Sequence, residues 1–454
     1  MKKLLLLPLL LAADWATYRA DPQRSGGDGK PGPVAAPKVL WAFKAKEHFV
    51  AAPVPAGGRV YASGLGFVNT PTFYCLDAKG AAAWSKTAPL IELPTVSSPA
   101  LVKGTLVFGE GMHQTNGASL YGMAAADGKL LWQLKIEGDL VHLEGSPTVA
   151  DGLVYLGGGA AGVLCVDPSK LTLDGKAMSA AEIAKAIDAK RADLQKKYEE
   201  AKARKDPFAV PPTDRDLPRA APAIAWQVGK GKWHVDAPLA VVGGKVLVAS
   251  AYLDKEKIGS RAVYCLDAKT GKELWSADLA VNPWGGPSVQ GGTVVVTGSS
   301  IGYDPAALAG AKGIVAAFSL ADGKPKWRKA LDGGVVSCAA LAKDLAIVTC
   351  TDGKVRAYAL DKGALRWTAN TGAPFFAPPA VAGETAYVAD LKGVVHALAL
   401  KGGASRWKHE IESPGMVYAG PSLHEGRLYV ATCNIAGDHS GKPTVVVCLG
   451  EKRP

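Results

Sequence analysis

Eight tryptophans stand at one repeated position, and this repeat narrows the fold of the chain more than any other feature. The motif Gly-x-x-x-Trp occurs at Gly80/Trp84, Gly128/Trp132, Gly271/Trp275, Gly323/Trp327, Gly363/Trp367 and Gly403/Trp407. Trp226 takes the same place after an insertion, and Trp41 supplies a further copy near the N-terminus. Trp15, Trp233 and Trp284 fall outside the register. Each unit opens on a short apolar strand such as Ser98-Pro99-Ala100-Leu101-Val102, then a glycine turn and a β-branched strand such as Thr105-Leu106-Val107-Phe108. A third strand, Ala262-Val263-Tyr264-Cys265-Leu266-Asp267 in one copy, turns through Ala268-Lys269-Thr270-Gly271 into Glu273-Leu274-Trp275. Alternating apolar residues between Gly and Asp turns predict a four-stranded antiparallel meander. A repeat of roughly 40–50 residues built this way is a propeller blade.

The ends set the count. Complete blades finish at Trp84, Trp132, Trp226, Trp275, Trp327, Trp367 and Trp407. The last unit, 419–449, has three strands and no tryptophan, whereas 37–45 has one strand and Trp41. Joining them gives an all-β, eight-bladed propeller over 37–454, closed by its own N-terminal strand and left without a free sheet edge. The lead-in, 14–36, is expected to matter little: losing 14–30 should cost far less than losing 37–45. Each in-register indole is expected between neighbouring blades, where burying ~150–250 Å² stabilises by about 4–6 kcal/mol. Such residues are structural.

The 53 glycines and 30 prolines fit a chain made of turns. Its formal charge is +11, but no basic run is interleaved with aromatics, so no nucleic-acid partner is expected. Two lysines and the apolar run Leu4–Leu11 read as a secretory signal over 1–13, too short to span a bilayer. The first cysteine is Cys75, so no lipoprotein anchor is expected, and no later segment reads as transmembrane. The reading is a periplasmic or secreted monomer.

Cys75, Cys165, Cys265 and Cys448 share the third-strand position where other blades carry Ala, and so read as small core residues. Cys338 and Cys350 flank a hairpin whose register puts them on opposite faces, so no disulfide is expected between them. Gly157–Gly162 fits G-x-G-x-x-G and Gly298–Gly302 fits G-x-S-x-G. Both join strands and lack the helix that gives those motifs their chemistry. The eight histidines form no H-E-x-x-H and no i, i+4 pair, so no metal site is expected.

Residues that precede each blade's first strand should meet near the axis on one face. There the chain carries His48-Phe49, His142-Leu143-Glu144, Trp233-His234-Val235-Asp236, Asn282-Pro283-Trp284, Phe375-Phe376 and Tyr418. A funnel lined by aromatics, imidazoles and carboxylates is the expected ligand site, with His48, Phe49, His142, Glu144, Trp233, His234, Asp236, Trp284, Phe375, Phe376 and Tyr418 as candidates.

Blade three is interrupted over 168–222. Ser179 and Glu182 form a capping box, predicting a helix from Ala180 to Arg204 with Ile183, Ile187, Leu194 and Tyr198 along one stripe. This third-to-fourth-strand connection should leave from the face opposite the funnel. It reads either as a strut packed on the ring or as a docking arm for a partner.

The run Cys265 to Trp275 resembles the tryptophan-docking motif of the pyrroloquinoline-quinone (PQQ)-like propeller repeats, and the likeness spans about Trp41 to Leu449. Asp14 to Gly26 is similar to the lead-in found before such propellers. The resemblance implies one of two functions. One group, which includes the outer-membrane assembly factor B, scaffolds proteins; the other comprises quinoprotein dehydrogenases that bind PQQ with Ca²⁺. Many of the latter use an adjacent-cysteine disulfide and a catalytic aspartate. This chain has no adjacent Cys-Cys pair and no haem-attachment motif. The expectation is a non-catalytic scaffold for a protein partner, an envelope component or a small ligand, with no cofactor. A divergent quinoprotein using PQQ and calcium is the alternative.

Overall fold

The structure, a computed structural model, describes residues 17–27, 31–66, 70–113, 115–412, 415–436 and 440–451; the proposed signal, 1–13, lies outside them. Eight antiparallel sheets form the blades. Blades one to seven span 54–87, 100–136, 148–228, 240–278, 287–331, 340–370 and 380–410. Blade eight combines Ser422–His424, Arg427–Ala431 and Thr444–Gly450 with Lys38–Ala45, which pairs with the last of these in the register Trp41↔Cys448. Its innermost strand lies beside that of blade one, so the ring is closed.

The docking position has a steric logic. The cross-strand partner of each in-register tryptophan is small: Cys75 for Trp84, Gly122 for Trp132, Cys165 for Trp226 and Cys265 for Trp275. Ala317, Ala357 and Ala397 stand opposite Trp327, Trp367 and Trp407. At Gly122 even a Cβ would come within 2.0 Å of the Trp132 indole. The indoles also reach the next blade. Trp84, Trp226, Trp275, Trp327 and Trp367 donate Nε1–H to the carbonyls of Ala125, Ala268, Leu320, Leu360 and Leu400 at 2.7–3.2 Å. Trp407 donates to Pro33, which precedes the closing strand. All seven cysteines are buried and free.

The lead-in is built into the ring, a role its sequence did not suggest. Residues 17–27 run through the middle of the ring. Carbonyls of Pro22, Gln23, Ser25 and Gly26 accept from the N–H groups of Val241, Val289, Leu341 and Val381, at 2.7–3.0 Å. Those donors lie in or beside the innermost strands of blades four to seven, which would otherwise present unpaired edges to the channel. Arg24 is only 1 % exposed. It donates to the carbonyls of Ser146, Pro147 and Leu239 at 2.9–3.0 Å, and also to Thr148 Oγ1 and the Tyr18 carbonyl. Arg19 reaches Ala339 and Pro379 from the same segment.

The interruption in blade three is also more ordered than a loop. Its third strand continues to Leu173, turns back through Lys176–Met178, and pairs at Leu171 and Thr172 with Pro222 and Ala221. Residues 168–173 and 221–222 therefore belong to the blade, and the insertion proper is 174–220. Its helix, Ala180–Ala203, starts at a reciprocal capping box between Ser179 and Glu182. Ile183 is buried in one cluster with Trp132, Leu134 and Ile136, with Ile187 packed beside it. The helix thus adds to the cluster that holds blade two's tryptophan, where six other blades present a turn glycine to the preceding blade's indole. Leu194 and Tyr198 remain half-buried.

Candidate functional site

Two sets of loops converge on one face. Linkers before the first strands bring Val50, Ser98, Glu144, Asp236, Trp284 and Tyr418; second-to-third-strand loops bring Met112, His113, Tyr303, Asp304 and Ile435. Together with Tyr18 from the axial segment they line a cavity of about 630 Å³. In a meander both sets fall at the same end of the strands. The blade-three insertion, a third-to-fourth-strand connection, starts from the opposite end.

Of the predicted residues, Glu144, Asp236, Trp284 and Tyr418 line this cavity. His142 and His234 are fully buried just behind it, both against Asp236. Phe376 packs edge-on against Tyr303 and Tyr418 and supports the wall. The other four are not brought there. Phe49 lies in the core between blades eight and one, and His48 Nδ1 accepts from the Asn434 backbone. Trp233 stacks on Tyr264 with ring centres 4.3 Å apart, and Phe375 is buried between blades six and seven. The physical reason is alternation: successive residues of an extended linker point to opposite sides, so one of each pair enters the core.

The polar wall is organised around Asp236. Its Oδ1 is 2.8 Å from His142 Nε2 and its Oδ2 is 3.2 Å from His234 Nδ1. Burial alone would raise the Asp236 carboxyl, but the contacts with the two imidazoles outweigh it and hold the group well below the usual carboxylate range. Burial, and then the Asp236 charge, push Glu144 up to about 7. Glu144 accepts the backbone N–H of His113 and so fixes that loop. Burial would lower His142, but its hydrogen bond to Asp236 raises it; burial lowers His113. One carboxyl is therefore held ionised while its neighbour can exchange a proton near neutrality.

His113 was not among the predicted residues, and neither were Tyr18, Tyr303 and Asp304. His113 and Tyr303 sit in second-to-third-strand loops, which the meander returns to the same face; that return was the available signal. Sequence spacing pointed to no metal site, yet the fold gathers four ligand-capable side chains. His113, His142, His234 and Asp236 each place a ligand-capable atom within 4.8 Å of the others. They come from three separate connections around blades two to four, so no local motif announces them.

The family model described as outer membrane protein assembly factor BamB matches residues 35–172 and 216–435. The chain belongs to that family. The matched segments leave out most of the blade-three insertion, so this member of the BamB family carries it as an elaboration. No curated protein matches the sequence. Among solved structures, BamB from Moraxella catarrhalis aligns with a TM-score of 0.60 at 15 % identity, covering 92 % of this chain and 99 % of that one. Quinohemoprotein alcohol dehydrogenase from Comamonas testosteroni aligns with a TM-score of 0.64 at 14 % identity, covering 97 % and 81 %. A europium-containing methanol dehydrogenase gives 0.63 at 12 % identity, covering 97 % and 98 %. At such identities the likeness carries the fold and not the chemistry. No helix among the described residues is long and apolar enough to cross a membrane.

Proposed function

We propose that this chain is an extracytoplasmic, non-catalytic binding propeller whose axial cavity takes a small neutral or cationic ligand with an apolar or ring-shaped face. The cavity itself carries this reading. Trp284, Tyr303, Tyr418 and Tyr18 supply aromatic surface, and Glu144, Asp236, Asp304 and His113 supply a few polar groups. The extracytoplasmic assignment rests on the two lysines and apolar run that open the sequence. PQQ with calcium suits the site poorly. PQQ carries three carboxylates, whereas the described lining holds three acidic side chains and neither Lys nor Arg. No two cysteines are adjacent, and all are free.

The test is calorimetric titration with three sets of compounds: quaternary or primary amines, neutral glycosides, and PQQ with Ca²⁺. Binding by a member of the first two sets, lost in Trp284→Ala and Tyr418→Ala, is the expected result. Binding by PQQ with Ca²⁺ alone would overturn the reading in favour of a quinoprotein.

A second surface favours a protein partner as well. In the insertion Phe208 is 86 % and Val210 74 % exposed, beside Pro211 and Pro212. Phe208→Ser with Val210→Ser should then remove a partner recovered from the native envelope without changing ligand binding. Unchanged recovery would leave the arm without that role.

A further inference from the structure

We propose that His113, His142, His234 and Asp236 bind one divalent transition-metal ion of the zinc class at the wall of the axial cavity. The inference deepens the reading of the cavity as a ligand site, since the ion would form part of its surface. Three imidazoles and one carboxylate make a ligand set suited to zinc and its neighbours, whereas calcium takes oxygen ligands.

The rings are arranged for a shared centre. Their centroids are 5.6 Å apart for His113–His142, 5.6 Å for His113–His234 and 5.2 Å for His142–His234, a nearly equilateral triangle. An ion ~2.0–2.1 Å from one nitrogen of each ring, at tetrahedral angles, would hold the ring centres about 5 Å apart. The ligand atoms lie within 4.8 Å of one another, and contraction to about 3.4 Å would complete the shell. His113, exposed on its loop, has room to make that movement.

The buried members are short of partners. His142 Nδ1 and both nitrogens of His234 are buried and make no hydrogen bond among the described residues, although His234 Nδ1 faces Asp236 at 3.2 Å. A proton shared between His142 and Asp236 accounts for one contact only. It leaves one carboxylate among three imidazoles and nothing for His234 Nε2. The surroundings also fix these groups as an outer shell does. Gly159 leaves room for the His142 ring, where a Cβ would meet Cε1 at 2.9 Å. Ser250 Oγ accepts the His234 backbone N–H at 3.1 Å, and Glu144 holds the His113 loop. Because His113 and Asp236 line the cavity, expansion to a fifth position on that side could take an oxygen or nitrogen of a bound ligand.

The experiment uses the full chain, stripped with a chelator and titrated with Zn²⁺ by calorimetry and with Co²⁺ by visible absorption. We expect one ion per chain, Co²⁺ bands of four- or five-coordinate intensity, and no competition from Ca²⁺. His113→Ala, on an exposed loop, should leave the melting curve unchanged and weaken Zn²⁺ binding at least about tenfold. Failure to take up Zn²⁺ at micromolar concentration would overturn the proposal, as would uptake that survives both His113→Ala and Asp236→Asn. Trp284→Ala separates the two readings. If it keeps Zn²⁺ while no organic compound binds the parent protein, the metal site stands and the ligand cavity falls. If organic ligands bind and Zn²⁺ does not, the reverse holds.

Discussion

The indole of Trp41 lies against Gly80, so closely that a Cβ at Gly80 would come within 2.5 Å of Cε3. This contact joins the N-terminal strand to blade one and makes the closure of the ring testable at a single atom. Gly80 also has φ +83°, which disfavours a side chain independently. Gly80→Ala should therefore destabilise by about 1–3 kcal/mol in urea unfolding. Deleting 37–45 should cause aggregation; an unchanged melting temperature after that deletion would refute closure by this strand.

The axial segment predicts a larger loss. Arg24→Ala removes the donors for four carbonyls and two hydroxyls in the centre of the ring, each costing about 1–3 kcal/mol if left buried and unpaired. We expect the variant to lose more than ~3 kcal/mol, and deletion of 17–27 to abolish cooperative unfolding.

In-register and out-of-register tryptophans should behave differently. Trp275→Ala empties an inter-blade site and should cost about 3–5 kcal/mol. Trp284→Ala should cost clearly less and instead abolish ligand binding at the cavity. Equal stability losses in parallel denaturation curves would contradict this division.

Within the insertion, packing and exposure can be separated. Ile183→Ala should destabilise by about 2–4 kcal/mol, because it uncovers the cluster around Trp132. Phe208→Ser and Val210→Ser should shift stability by less than about 0.5 kcal/mol.

A pH-dependent contribution is expected in blade six. Burial would raise the Asp352 carboxyl, but the Arg356 guanidinium, donating to it from four residues on, brings it below its ordinary 3.8. A depressed carboxylate stabilises above its unfolded value, and the gain is lost as pH falls through the lower folded value. Asp352→Asn should thus cost about 1–3 kcal/mol at pH 7. The two proteins should converge in stability well below pH 3.8 when melted across a pH series.

The blades were legible because their determinants repeat. Each indole needs a small residue across the strand, so the third-strand cysteines, alanines and glycine marked the same position as Trp itself. The cavity was legible only by half. Linkers could be placed on one face, but which of two neighbours points inward depends on a local twist that sequence does not record, and so Phe49 and Phe375 were assigned to the wrong side. The axial segment was hidden for a different reason. Arg19 and Arg24 belong to no repeat unit, and nothing in their neighbourhood reveals that most of their partners are backbone carbonyls more than a hundred residues away. His113 escaped because a side-chain cluster gathered from three separate connections has no spacing to detect.

A ribosome makes this protein in an awkward order. Residues 17–27 emerge first, yet the strands that receive them belong to blades four to seven, and Lys38–Ala45 has no partner until Thr444–Gly450 has been made. The two earliest segments are thus the last to be seated, and the nascent chain carries an unclasped hub and rim until its C-terminus is free. A premature stop that removes only the final strand would leave all seven finished blades present and the ring unable to shut.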